Sequence, residues 1–555
     1  MPTTGADLFV AALESYGVTR LFGNPGTTEL PLMQALGRSD VEYVLGLHED
    51  VAVGAATGYA MRRRYHSHAD PEVLPLGVAN VHLAGGLAHG LGNLSNADFS
   101  GAPLLLTAGT HSRDFQQEEP ILSGDLSSMA EQFTKWSAEV KDVAALPTMV
   151  RRAVRTALTP PTGPVFLSLP VDVQLAETDL DPERLGSIPT AGRGDGAAID
   201  DAAAAVADAD EPVIVLGDEV ARSGIDAIDA AVRFAEAAGA RVHGEILASE
   251  VNFPTDHDQW QGLVPAAPSA AAETMDTDTL VFVGCSTNTT ITRPSRRLVP
   301  AAATCVHMSN DAWELGKHAP ADVAVLGDPG QVLDDLAERV AGVVDDDERT
   351  RRLERVREWA RVHERNPPAV VDGTLTKTGL ARALRRAAPD VIVDESITAS
   401  AALHAEFPFG PTQLLGEKGG SLGFGLPASL GACIAEHEAG SDSAVLAYVG
   451  DGSYLYYPHA LYTAVRYDLD LTVVVPDNRN YRILKENTAA LLGGDPADYE
   501  YDGIDFEPAV DLVANAESHG ARGLRVDGPE EIDETLATAL AHEGPVVVDV
   551  PITDR

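Results

Sequence analysis

The sequence predicts an α/β protein built from three doubly wound parallel-sheet domains. Short runs of β-branched and other aliphatic residues alternate along the whole chain with Ala-rich stretches, the pattern of βαβ units whose sheets are covered by helices on both faces. The 555 residues, at roughly 150 per domain, suffice for three or four cores. The β runs also fall into three blocks, separated by two polar stretches.

The first block, residues 1–175, opens on TTGADLFVAALESYGV, which reads as a capped amphipathic helix with Thr4 before its first turn and Gly17 after its last. The runs VEYVLGL, EVLPLGVANV, PLLLTAG and PVFLSLP follow as strands. The Gly- and Pro-containing polar stretch from Glu177 to Gly196 is expected to be a linker. The second block, residues 197–342, carries PVIVLG, RVHGEIL, TLVFVGC, TCVHMS and VAVLGD. A charged, Arg-rich helix is expected from Asp345 to Asn366, ended by Pro367 and Pro368. The third block, residues 370–555, carries VIVDES, AVLAYVGDG, LTVVVPDN and PVVVDVP, and its size and architecture repeat those of the first.

Charge narrows the function classes. Forty Lys and Arg stand against 84 Asp and Glu, a formal net charge of -44, so a phosphate backbone or an anionic lipid surface is a poor partner. The only lysines are Lys135, Lys141, Lys317, Lys377, Lys418 and Lys485; the other cationic residues are arginine. Spread acidity with scarce lysine predicts a protein of a salt-loaded cytoplasm, where ionic strength screens the self-repulsion. Cys285, Cys305 and Cys433 have no metal-ligand spacing and are odd in number, which argues against a disulfide framework. No apolar run approaches transmembrane length and no signal-peptide pattern opens the chain, so a cytosolic location is expected.

In open α/β sheets, ligands sit outside the carboxyl ends of strands. Two such places stand out in the third block: Gly450-Asp451-Gly452-Ser453 after AVLAYV, and Pro476-Asp477-Asn478-Arg479-Asn480 after LTVVV. If these strands are neighbours, Asp451 and Asn478 project hard oxygen ligands toward one point, which suits magnesium. The glycines let backbone amides approach phosphate, and the helix near Pro458 is expected to offer its N-terminus to the anion. Gly450-Asp451-Gly452 with Asn478 following Asp451 by 27 residues resembles the diphosphate and magnesium motif of the thiamine-diphosphate-dependent enzymes.

That resemblance covers nearly the whole chain and implies a pyrimidine-binding domain, a central Rossmann-like domain and a diphosphate-binding domain. It implies magnesium ligands at Asp451 and Asn478 through side chains and at Asn480 through its carbonyl. Glu49 in GLHEDVAVGAATGYA matches the glutamate that hydrogen-bonds the cofactor's aminopyrimidine and favours the tautomer that removes the thiazolium proton. Within the family the strings closest to this chain are those of the benzoylformate decarboxylase type: FGNPGT from Phe22 with Glu29-Leu30-Pro31, Asn80-Val81-His82, Leu94-Ser95-Asn96, Thr107-Ala108-Gly109, Lys135-Trp136-Ser137, Glu395-Ser396, GFGLP from Gly423, and GIDF from Gly503.

By the same resemblance His82 handles protons around the substrate, and Thr27 stands where a serine binds the substrate carboxylate. Gly420 supplies a carbonyl to the pyrimidine amino group, and Leu422 props the bent cofactor. Glu395, Ser396, Ser453 and Tyr481 join the cofactor-binding set. The family's second active-site histidine falls at or near Ile291, and GCSTNTTITRP contains none. Arg482 stands where a Gly is usual, and near Asn487 neither an aromatic residue nor a tryptophan is present.

The implied activity is non-oxidative decarboxylation of a 2-oxo acid with thiamine diphosphate and Mg2+. The alternative is an acetolactate synthase-like carboligase with possible FAD in the central domain, and a non-catalytic cofactor-binding scaffold is the remaining class. The family's glutamate and diphosphate motif come from different subunits, which implies a homodimer or homotetramer with shared active sites.

Overall fold

The computed structural model describes residues 3–285 and 288–553. Three six-stranded sheets form its frame, every pairing within them parallel. The first holds β1 (Arg20–Gly23), β2 (Glu42–Leu45), β3 (Gly77–His82), β4 (Leu104–Thr110), β5 (Trp136–Glu139) and β6 (Val165–Pro170), in the order 2-1-3-4-6-5. The second holds β7 (Pro212–Leu216), β8 (Arg241–Gly244), β9 (Trp260–Leu263), β10 (Thr279–Val283), β11 (Thr304–Ser309) and β12 (Val323–Leu326), in the order 9-8-7-10-11-12. After a short antiparallel hairpin, β13 (Val370–Val371) and β14 (Thr374–Leu375), the third sheet holds β15 (Val391–Glu395), β16 (Leu414–Gly416), β17 (Val445–Val449), β18 (Leu471–Asp477), β19 (Arg522–Arg525) and β20 (Val546–Pro551).

The order of the third sheet, 16-15-17-18-20-19, repeats that of the first. The likeness of the two outer blocks is thus one of topology as well as of size. The central sheet follows the Rossmann order instead. The first helix, Gly5–Ser15, is capped by Thr4 in a capping box with Asp7, and Gly17 follows at φ 87°.

Two connections are more structured than the sequence suggests. The stretch after Glu177 is strapped to the first domain: Glu177 bridges Thr4, Tyr16 donates to the Glu183 carbonyl at 2.7 Å, and Leu185 and Ile188 pack on that domain's core. The charged helix, Asp346–His363, buries Arg352, which donates to the carbonyls of Ala238 at 2.9 Å and Ala209 at 2.6 Å and so ties the helix to the central domain.

The outer domains meet through the helices Glu49–Ala69 and Gly425–Glu438, which share one hydrophobic cluster. Their small residues bring backbone against backbone. A Cβ at Gly58 would lie 2.1 Å from the Ala428 carbonyl oxygen, and one at Gly431 would lie 1.9 Å from that of Ala55. Alanine in a helix interior is ordinarily better than glycine by about 1 kcal/mol. Here the sign reverses: Gly58→Ala is expected to destabilise the protein by about 1–3 kcal/mol through overpacking, read from denaturant midpoints.

Candidate functional site

In the third sheet the strand order reverses between β15 and β17, and both strands end on residues marked by the sequence, Glu395-Ser396 and Gly450-Asp451. Strands β17 and β18 are paired neighbours, so Asp451 and Asn478 leave adjacent strand ends. Ser396, Leu422, Gly450, Asp451, Gly452, Ser453, Asn478, Asn480 and Tyr481 line one pocket there. Its backbone is strained. Ile397 and Arg479, directly after Ser396 and Asn478, hold φ of 52° and 58°; in the first domain, away from this pocket, Leu83 directly after His82 holds 50°. Left-handed non-glycine residues cost on the order of 1 kcal/mol or more and persist where packing imposes them.

Each wall has a local cause. Gly450 is extended and caps the short helix Asp451–Tyr454, so this helix, and not the one near Pro458, presents its first turn at the pocket; the next helix begins only at Ala460. Gly452 must be glycine, because a Cβ there would lie 2.6 Å from the Tyr481 ring. The loop after Asn478 is clamped by Gly503-Ile504-Asp505-Phe506: Tyr481 N–H donates to the Ile504 carbonyl at 3.1 Å, and Phe506 N–H donates to the Arg479 carbonyl at 2.8 Å. Glu395 does not line the pocket. Its buried carboxylate accepts the amides of Gly423 and Gly425, each at 2.7 Å, and so fixes the turn that carries Gly420, at φ 78°, and Leu422. Burial pushes the Glu395 carboxyl up to about 8, against those amide bonds.

The fit to a cation is testable from the donors. Asp451 is buried and its Oδ2 has no hydrogen-bond partner. Burial, and next the neighbouring Asp477 carboxylate, push Asp451 up to about 7. Asn478 Oδ1 accepts the Asn480 amide at 3.2 Å and keeps a second lone pair. An orphaned carboxylate oxygen, a second acid and an amide oxygen form a hard-oxygen set that a divalent cation would satisfy.

The first domain holds the other predicted residues. His82 ends β3, and its Nδ1–H donates to Glu29 Oε2 at 2.7 Å. Glu29 is fully buried and also accepts the amides of Gly26 at 3.0 Å and Gly109 at 2.8 Å and the Thr28 hydroxyl at 2.9 Å. This fixes the ring and its tautomer, leaving Nε2 as the nitrogen that Glu29 does not engage. Gly26 is required, since a Cβ would meet the His82 ring at 2.2 Å. Thr27 is exposed beside it, while the adjacent Thr28 is buried against His82 Nδ1 at 3.2 Å.

Glu49 is the first residue of its helix, and its Oε2 lies 3.1 Å from Nδ1 of His89. Asp50 behind it is buried, accepting the Asn93 amide at 2.8 Å and the Tyr457 hydroxyl at 2.9 Å; burial raises it to about 6. Thr27, Glu49 and His82 are not among the residues lining the third-domain pocket.

Comparison with known proteins assigns the arrangement. The thiamine pyrophosphate enzyme N-terminal TPP binding domain matches residues 3–134, the central domain of the same family matches 199–336, and its C-terminal TPP binding domain matches 397–550. The chain belongs to the thiamine pyrophosphate enzyme family. This thiamine pyrophosphate enzyme is 30% identical to a benzoylformate decarboxylase of Pseudomonas aeruginosa, with 97% of each chain covered. It is 27% identical to a probable acetolactate synthase large subunit of Methanocaldococcus jannaschii, covering 99% of this chain and 92% of that one. A thiamine diphosphate-dependent 4-hydroxybenzoylformate decarboxylase of Rhodococcus jostii superposes with a TM-score of 0.84 at 29% identity, covering 99% of each chain.

The flavin expectation meets a chemical obstacle. The central sheet's switch point lies between β7 and β10, and there the two lips touch: a Cβ at Gly217 would lie 2.3 Å from the Gly284 carbonyl oxygen. Buried Asp218 and Glu245 occupy the crevice, each bonded to Lys418 Nζ at 2.5 Å, and buried Glu219 accepts the Ser309 hydroxyl at 2.8 Å. Lys418 and Arg222 are already paired, so a nucleotide diphosphate would meet carboxylates with no free cation among these crevice residues. The residues do not fit a flavin dinucleotide at this crevice.

Ile291, at the place the resemblance gives to a second histidine, is 63% exposed; Ser286 and Thr287 of the same loop lie outside the described residues. Glu29, His89, Tyr457 and Lys418 were not singled out from sequence. Only Glu29, inside the matched FGNPGT–ELP region, carried a signal.

Proposed function

We propose that this enzyme is a magnesium- and thiamine-diphosphate-dependent decarboxylase of a 2-oxo acid, of the benzoylformate decarboxylase type. The observation that carries the reading is His82: a buried carboxylate holds one ring nitrogen, which leaves the other for a proton on the substrate. Bound thiamine diphosphate supplies the electron sink for loss of CO2. Asp451, Asn478 and the Asn480 carbonyl would hold Mg2+. Amides at Gly450, Gly452 and Ser453 would bind the diphosphate, with Ser396 and Tyr481 flanking it. Glu49 would hydrogen-bond the pyrimidine, and the Gly420 carbonyl would take the pyrimidine's amino group above Leu422. Thr27 would bind the substrate carboxylate, while His82, after taking a proton from water at Nε2, would pass it on to complete an aldehyde.

We further propose that two copies build each site. Supporting this, the diphosphate pocket is lined within one copy by third-domain residues alone, and the helix Arg482–Leu492 beside it leaves Leu491 at 66% and Leu492 at 70% exposure. A net charge of -44 then makes assembly salt-dependent. Activity and the dimer, followed by light scattering, are expected to be lost together as molar salt is diluted to about 0.1 M; equal activity at both salts would contradict this.

The missing imidazole around Ile291 favours one second reading, a carboligase, in which the carbon center is trapped by a second carbonyl instead of a proton. Incubation with benzoylformate, pyruvate and branched 2-oxo acids distinguishes the two. Decarboxylation predicts one aldehyde per CO2; a hydroxyketone at one per CO2 or one per two CO2 would sink the decarboxylase reading.

A further inference from the structure

The carboxyl group of Glu49 is lodged between two features of the helix Leu83–His89, which starts directly after His82. On one side is Gly86, where a Cβ would lie 2.8 Å from Glu49 Oε1; on the other is the His89 ring, with Nδ1 at 3.1 Å from Oε2. Glu49 is 13% exposed and His89 60%. As a carboxylate Glu49 can only accept, and the tautomer with its proton on Nδ1 donates to Oε2. The surroundings are imidazole and phenol rather than charge: the His48 ring lies 5.0 Å from that of His89 and 5.1 Å from that of Tyr457, and His459 lies 6.1 Å from His48. Asp50, the next residue, is already taken up by Asn93 and Tyr457. Burial pushes His48 and His459 below their usual range, so neither brings a competing positive charge to Glu49 near neutral pH.

We infer that His89 is the positioning residue for Glu49, donating through Nδ1–H to Oε2 and so holding the carboxyl plane with its other oxygen presented to the cofactor's pyrimidine. The inference rests on the proposed role of Glu49. A carboxyl group that rotates freely spends most of its time misdirected, and a hydrogen bond to a charged group of this kind changes the rate by roughly tenfold to a hundredfold.

The test is hydrogen–deuterium exchange at C2 of thiamine diphosphate bound to the full-length enzyme with Mg2+, acid-quenched and read by NMR, together with the KM for cofactor and kcat. His89→Ala is expected to slow exchange and kcat by roughly tenfold to a hundredfold with little change in cofactor KM. His89→Asn, whose amide nitrogen occupies the place of Nδ1, is expected to recover most of the loss. In the Glu49→Gln background, His89→Ala is expected to add little. Wild-type exchange in His89→Ala, a loss confined to cofactor KM, or a full additional loss in the Glu49→Gln background would each overturn the inference. Wild-type exchange in Glu49→Gln alone would overturn the role of Glu49 itself, and the positioning role with it.

Discussion

Glu49→Gln is expected to lower kcat by roughly 10²- to 10⁴-fold, the scale of a lost proton-transfer partner, while the protein stays folded and still binds its cofactor. The substitution keeps shape and one acceptor oxygen but removes the ionisable proton. Glu49 heads a helix whose stability comes from the buried face toward Gly425–Glu438, not from its own side chain, so the melting temperature should move little. In the proposed site the diphosphate is held by the third domain and not by Glu49, so cofactor affinity should survive. Steady-state kinetics with a calorimetric or fluorescence titration of the cofactor checks both halves. Retained turnover would remove Glu49 from the chemistry.

Asp451→Ala is expected to act in the opposite way, abolishing cofactor-linked stabilisation. A ligand present at about 100 times its Kd stabilises a protein by about 2.7 kcal/mol. That upward shift in melting temperature with thiamine diphosphate and Mg2+ should disappear in the variant. Without ligands, the variant should be no less stable than the wild type. Asp451 is a buried acid with an unpartnered oxygen beside Asp477, and its carboxyl is raised to about 7. A carboxyl raised in the folded state favours folding while protonated, and that advantage is lost as pH rises from the ordinary carboxylate range toward 7. At pH 8 without a cation the wild-type chain therefore carries the cost of an ionised, buried Asp451 beside Asp477, and removing its carboxylate relieves it. Differential scanning fluorimetry with and without ligands reads both effects; a variant that keeps its ligand-induced shift would dissociate Asp451 from the metal.

Much of this site was legible because its chemistry sits at the ends of strongly patterned strands. AVLAYV and LTVVV are unambiguous buried runs, and their pattern alone places the polar residues after them outside the sheet. The strands β1, β5, β9, β16 and β19 were less legible. RLFG, WSAE, WQGL, LLG and RGLR are three or four residues long, mostly with polar members, and take their register from neighbours, not from their own periodicity. The helix expected near Pro458 was displaced because Gly450 starts a helical turn at once, four residues long, which no periodicity could reveal. The roles of Glu29, within its matched string, and of His89 were hidden for a different reason. Their significance lies in what they touch, His82 across 53 residues and Glu49 across 40, and a single sequence carries no record of such pairings. Glu395 was legible as important but not in its manner, since its partners are backbone amides 28 and 30 residues away.

In the proposed assembly, Glu49 of one copy and Asp451 of another meet in one catalytic centre. Glu49→Gln and Asp451→Ala chains, each inactive by itself, are co-expressed with different tags, and the mixed dimers are purified and assayed for CO2 release from the best substrate of the 2-oxo acid panel. In such a dimer one site carries both lesions and the other carries neither, so about half of the wild-type rate per dimer is expected. Mixed dimers as inactive as either parent would contradict the claim.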